Sequence, residues 1–104
     1  MNDEREREFL DVLRAFPEDA LTRFGLGNLY RDAGRTDEAI AQYRKTVELD
    51  PGYGAAYLEL GALQEKAGQI ERARETYKLA IVNAEKKGDL HIVNRAKMRL
   101  EDLA

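Results

Sequence analysis

General-base, nucleophilic or metal chemistry in this chain would all have to start from His91, its only imidazole. A transition-metal site needs three or four nitrogen, sulfur or carboxylate donors, and the sequence has no cysteine and no carboxylate pair beside His91. Serine is absent, so there is no serine nucleophile for a histidine to activate. Gly25-x-Gly27 is a fragment of a phosphate-loop pattern, but it lacks the third glycine and the preceding strand that such loops require. The 20 Asp and Glu side chains pair by accident on helix surfaces, and solvated helix faces account for them better than an acid–base dyad does. The chain therefore reads as a non-enzyme with no metal and no cofactor, and His91 as a surface side chain.

The elements that must carry any remaining function are built from a 104-residue chain that is 43% apolar and 36% charged. That length suits one domain burying roughly two thirds of its unfolded surface. The composition is that of a folded, water-facing chain rather than a disordered one. Apolar runs such as Leu79-Ala80-Ile81-Val82 are far short of the roughly 20 residues needed to cross a bilayer. A net charge of -3 with dispersed Lys and Arg offers no basic face for nucleic acid. The opening Met1-Asn2-Asp3-Glu4-Arg5 has no basic segment leading into an apolar one, so no secretory signal is expected and the cytoplasm is the default location.

The sequence repeats with a period of 34 residues. Laying 20–53 over 54–87 matches Leu26 with Leu60, Gly27 with Gly61, Leu29 with Leu63, Ala33 with Ala67, Gly34 with Gly68, Ala39 with Ala73 and Tyr43 with Tyr77. All are small or apolar residues suited to packing, and the same offset links Pro17 to Pro51. Each unit reads as two helices. Leu26, Leu29 and Tyr30 share one side of a segment that ends at Ala33-Gly34, where glycine can take the left-handed geometry of a helix end. Thr36 is then positioned to cap a second helix carrying Ala39, Ile40, Tyr43 and Val47, which stops before Pro51. The second unit repeats the pattern with Leu60, Leu63 and Ala67, Gly68, then Ile70, Ala73, Tyr77, Ala80 and Ile81. A mid-helix glycine costs about 1 kcal/mol relative to alanine, so recurrence at Gly27 and Gly61 implies close helix approach, with Tyr43 and Tyr77 filling the space opposite.

The patterns Leu26-Gly27-x-x-Tyr30, Ala39-x-x-x-Tyr43, Pro51 and Tyr57-x-x-Leu60-Gly61, Ala73-x-x-x-Tyr77 resemble the tetratricopeptide repeat signature. Arg23 and Gln64 stand where that family has large aromatics, Thr46 where it has a small alanine, and Glu85 where it has a closing proline. The first two departures loosen packing, and the last lets the fourth repeat helix run on to Gly88. The resemblance implies an all-α, short right-handed α-solenoid of antiparallel helix pairs, about six helices in one domain. An N-terminal helix (1–17) forms a partial repeat, followed by repeat 1 (18–53), repeat 2 (54–87) and a C-terminal capping helix (88–104). Phe9, Val12, Leu13 and Phe16 give the first of these a buried stripe, and Leu90, Val93, Ala96, Leu100 and Leu103 give the last one a stripe with polar backing.

In tetratricopeptide proteins the first helix of each pair lines a concave groove that holds a peptide or partner protein. Carried over by position, the groove residues are Leu21, Phe24, Asn28 and Arg31 in repeat 1 and Ala55, Leu58, Ala62 and Glu65 in repeat 2. Phe24 and Leu58 suit an apolar side chain, Asn28 a peptide backbone and Arg31 a carboxylate. On the competing reading Phe24 packs against the N-terminal helix, and Asn28 and Arg31 are plain solvated surface. Phe24 occupies a position where chaperone-tail clamps carry lysine, and Ala55 and Glu59 supply no cation, which argues against that clamp. The expected partner is thus a peptide or protein, with no nucleic acid and no membrane. A homo-oligomer formed through the terminal helices is the alternative.

Overall fold

The computed structural model describes residues 3–104, in which six helices and no strand occur: α1 (Asp3–Ala15), α2 (Ala20–Asp32), α3 (Thr36–Leu49), α4 (Gly54–Lys66), α5 (Ile70–Lys87) and α6 (Leu90–Asp102). None of them is long and apolar enough to cross a membrane. Their contacts group into two compact units, one reaching to Asp50 and the other spanning Pro51–Ala104.

In the first unit α2 packs on both α1 and α3. The carboxylate of Asp19 starts α2 by accepting from the backbone N–H of Thr22 at 3.3 Å, a capping role that the sequence reading missed. The helix ends in a Schellman turn: Gly34 takes φ 75°, its N–H donates to the Arg31 carbonyl, and the Arg35 N–H donates to the Tyr30 carbonyl at 2.9 Å. The turn leaves Arg35 at the cap position of α3 with no side-chain cap bond, so Thr36, expected as the cap, is instead the first helical residue. Across this turn Tyr43 is fully buried against Gly27, where a methyl group would sit 2.7 Å from the ring. Arg23, at the aromatic position, bridges instead: it donates to the Pro17 carbonyl at 3.1 Å and to Oε1 of Gln42 at 3.3 Å. The buried Thr46 hydroxyl is satisfied by the Gln42 carbonyl one turn back.

The expected buried stripe on α1 is only partly present. Leu13 is buried and the Phe9 ring lies half-buried against Gly25, whereas Val12, Phe16 and the neighbouring Leu10 are exposed. A polar cluster adds to the attachment of α1. The Tyr30 hydroxyl donates to Glu6 at 2.7 Å, and the Arg35 guanidinium lies 4.3 Å over the Tyr30 ring and 3.1 Å from the same carboxylate. Burial first, and the bond to Glu6 second, push the Tyr30 phenol up to about 12 from an ordinary 10.0. Because the folded state holds this proton more tightly than the unfolded chain does, the contribution is complete below pH 10. It falls as pH rises through the unfolded value and is lost through about 12. Alkaline absorbance titration, differenced against Tyr30→Phe, should show this high midpoint, and Glu6→Gln should lower it.

In the second unit α5 packs on α4 and on α6, and α4 also meets α6. Gly68 repeats the left-handed turn at φ 79°, and Gly61 repeats the close approach, with the Tyr77 ring fully buried on it. Without a proline near 85, α5 runs for 18 residues against 14 in α3 and stops at Gly88, as expected. Lys86 and Lys87 in its last turn complement the negative end of the helix. Asp89 then caps α6 by accepting from the Ile92 N–H at 3.3 Å. The α6 core is Ile92, Val93 and Ala96. Leu90, expected in the buried stripe, is exposed, and Ile92 takes the inward position. Gln64 at the second aromatic position is buried and accepts from the Thr76 hydroxyl at 2.6 Å, so a matched polar pair stands where an aromatic was expected.

Candidate functional site

Leu21, Phe24, Asn28 and Arg31 recur at three- and four-residue steps, and the helix carries all four on one face of α2. Leu21, in the first turn, is 68% exposed. The Phe24 ring is half-buried and tilted against Tyr43 with centroids 5.7 Å apart, so part of it packs on α3 and part is open. The Asn28 carboxamide oxygen accepts from the Tyr43 hydroxyl at 2.6 Å and from Nη1 of Arg31 at 3.4 Å. This leaves its amide N–H groups as the side that can donate to a backbone carbonyl. Arg31 directs Nε and Nη2 at Asp32, at 3.0 and 2.9 Å. A partner carboxylate would therefore have to displace Asp32, which costs little because Asp32 is exposed.

On α4 the equivalent face carries Ala55, exposed, and Leu58, Ala62 and Glu65, all half-buried. Glu65 accepts a hydrogen bond from the Tyr77 hydroxyl, and its carboxylate lies 3.9 Å from Nη1 of Arg99. Burial, then the bond to Glu65, hold the Tyr77 phenol well above its ordinary range, so it stays a donor. The two faces differ in chemistry: the α2 face offers an aromatic, an amide and a cation, and the α4 face offers small apolar residues and an anion. The sequence reading treated Tyr43 and Tyr77 as space-fillers. Their hydroxyls in fact orient Asn28 and Glu65, and the choice of tyrosine over phenylalanine at both positions was the available signal. Arg99, on the polar backing of the last helix, is a partner of Glu65 that the apolar pattern does not point to. Among the described residues no group of three or more acidic or histidine side chains is placed to hold a metal.

A family model described as tetratricopeptide repeat matches residues 6–54 and again 24–89. The chain belongs to the tetratricopeptide repeat family. Among tetratricopeptide relatives, a TPR repeat-containing protein of Pseudomonas aeruginosa is 38% identical over 72 residues, covering 69% of this chain and 69% of the relative. A tetratricopeptide repeat and J domain-containing co-chaperone of Fusarium oxysporum is 36% identical over 64 residues, 62% of this chain but only 12% of that protein. Among solved structures, the tetratricopeptide repeat domain protein from Salinibacter ruber superposes with a TM-score of 0.78 at 28% identity, over 84% of this chain and 88% of that one. These likenesses and the six helices establish the all-α helical-repeat fold that the tetratricopeptide signature implied.

Proposed function

We propose that this tetratricopeptide repeat protein is a protein-interaction module, a scaffold without a reaction of its own, which holds a peptide or partner protein on the first-helix faces of its repeats. The observation that carries the reading is the α2 face, where exposed Leu21 and part-open Phe24 lead up to an Asn28 amide that Tyr43 and Arg31 hold in a fixed orientation. An apolar anchor beside an oriented side-chain amide, which can donate to a backbone carbonyl, is what an extended or helical peptide segment needs. The α4 face, with Leu58 between Ala55 and Ala62, suits a small apolar side chain, and Glu65 suits a basic one. The family to which the chain belongs, and a relative named as a co-chaperone, support an interaction role at this coarse level.

To test it, peptides selected from a random display library on the full chain would be titrated calorimetrically. Phe24→Ala with Leu58→Ala is expected to weaken binding at least about tenfold, roughly 1.4 kcal/mol, with the helical circular dichroism retained. Equal affinity in the double variant would remove both faces as the binding surface. A second reading, self-association through the terminal helices, is favoured by the exposed Val12 of α1 and the exposed Phe16 just after it.

A further inference from the structure

The second helices of the repeats, α3 and α5, each have a face buried against the helix before them. Tyr43 and Tyr77 lie on Gly27 and Gly61, and Thr46, Ala80 and Ala84 are buried. The 34-residue period carries these positions back onto α1: Phe9 precedes Tyr43 by one period, and Val12 precedes Thr46 by one and Ala80 by two; Phe16, just past the end of α1, stands one period before the exposed Asp50 and two before the buried Ala84. Yet Val12 is 40% and Phe16 65% exposed. Thus α1 presents a second-helix face with no first helix upon it among the described residues.

The complementary face is on α6. By the same period α6 is a first helix: Leu90 follows Ala56 by one period, and Met98 follows Gln64 by one and Tyr30 by two. Ala56, Gln64 and Tyr30 are buried, whereas Leu90 is 69% and Met98 65% exposed. We propose that α6 of one copy and α1 of a second copy pair as the first and second helix of a composite repeat, joining copies head to tail. This deepens, and rests on, the self-association reading.

The register also matches the polar groups. His91 occupies the position of Arg23 and Glu8 that of Gln42, so the hydrogen bond made by Arg23 and Gln42 becomes an imidazole facing a carboxylate. Arg95 occupies the position of Gly27 and Gly61, opposite Phe9 where they face tyrosine. Arg95 therefore departs from the small residue that the two repeats carry there, and in this register its side chain has to turn to the edge of the helix pair. Arg95 then also reaches Glu8, one helical turn from His91. Apolar faces and opposite charges thus coincide in a single register.

A head-to-tail contact is heterologous and leaves free ends, so it adds copies beyond the dimer. Light scattering on the intact chain, over concentrations from roughly 0.02 to 1 mM, should show a mass rising from the 11.8 kDa protomer past twice that value. Val12→Glu with Phe16→Glu, and separately Leu90→Glu with Met98→Glu, should each give a monomer. An equimolar mixture of the two should recover a species of two protomers, because each supplies the end the other lacks. Circular dichroism verifies that the variants are folded. Should one not be, Glu8→Arg, expected to weaken association, and Glu8→Arg with Arg95→Glu in the same chain, expected to restore it, replace them. A monomer at every concentration overturns both the composite repeat and self-association. Association that survives Leu90→Glu with Met98→Glu, or a mixture that stays monomeric, overturns the head-to-tail pairing and leaves self-association standing by another surface.

Discussion

Gly61→Leu is expected to remove a large part of the stability of this chain. A methyl group built on Gly61 falls 2.5 Å from Cζ and 2.9 Å from the hydroxyl oxygen of Tyr77. Real carbon atoms do not approach so closely, so the ring or the helix must move. The ring cannot retreat easily, because it is fully buried and its hydroxyl is tied to Glu65. Overpacking of this kind costs about 1–3 kcal/mol for a small insertion, which outweighs the ~1 kcal/mol that alanine gains over glycine as a helix former. Gly61→Ala should therefore lose about 1 kcal/mol or slightly more. Leucine drives three further carbons into the same space, and a loss above about 3 kcal/mol is expected against a total of ~5–15 kcal/mol for a domain of this size. Urea unfolding measures both. A partial recovery in Gly61→Ala with Tyr77→Phe, where the ring is released from Glu65, would assign the loss to the pinned ring. Stability equal to the unaltered chain in Gly61→Leu would refute the close-packing account.

Thr76→Val should cost about 1–3 kcal/mol although it preserves shape, because it leaves the Gln64 carboxamide oxygen buried without a donor. The Thr76 hydroxyl lies within reach of the Arg72 carbonyl as well, at 2.9 Å, but that carbonyl has its helical partner and loses less. Adding Gln64→Met to Thr76→Val removes the stranded acceptor and should return most of the loss. The double-mutant cycle therefore has an expected coupling of about 1 kcal/mol or more. Additive losses would mean that the pair acts as two independent side chains.

The helical repeat, the glycine–tyrosine interlock and the extension of α5 to Gly88 were legible because each is a local or periodic property: two copies of a 34-residue unit display the same small residue facing the same large one. What the sequence could not show is which groups find each other across a turn. Apolar spacing put Phe9, Val12, Leu13 and Phe16 on one stripe, but burial needs a neighbour as well as a stripe, and among the described residues only Leu13 and part of Phe9 have one. Asn28 read as a free amide because the reach of the Tyr43 hydroxyl depends on how α3 lies on α2. The Thr36 cap failed for a different reason. A Schellman turn fixes the backbone two residues past its helix, so Arg35 takes the cap position whatever hydroxyl follows. The polar substitutions at 23 and 64 were seen as departures, but their compensating partners Gln42 and Thr76 are visible only in three dimensions.

The bonds that lock each helix pair span short stretches of chain: Tyr43 to Asn28 across fifteen residues, and Thr76 to Gln64 and Tyr77 to Glu65 across twelve. Closing a loop of that length takes on the order of 10–100 ns and costs little entropy beyond that of a tight turn. Each hairpin can therefore assemble as soon as its two helices have wound, and the chain belongs with the helical proteins that fold in roughly microseconds to milliseconds. During synthesis the pair α2 and α3 has every residue of its own interlock once Leu49 has emerged, so its order does not wait on the rest of the chain.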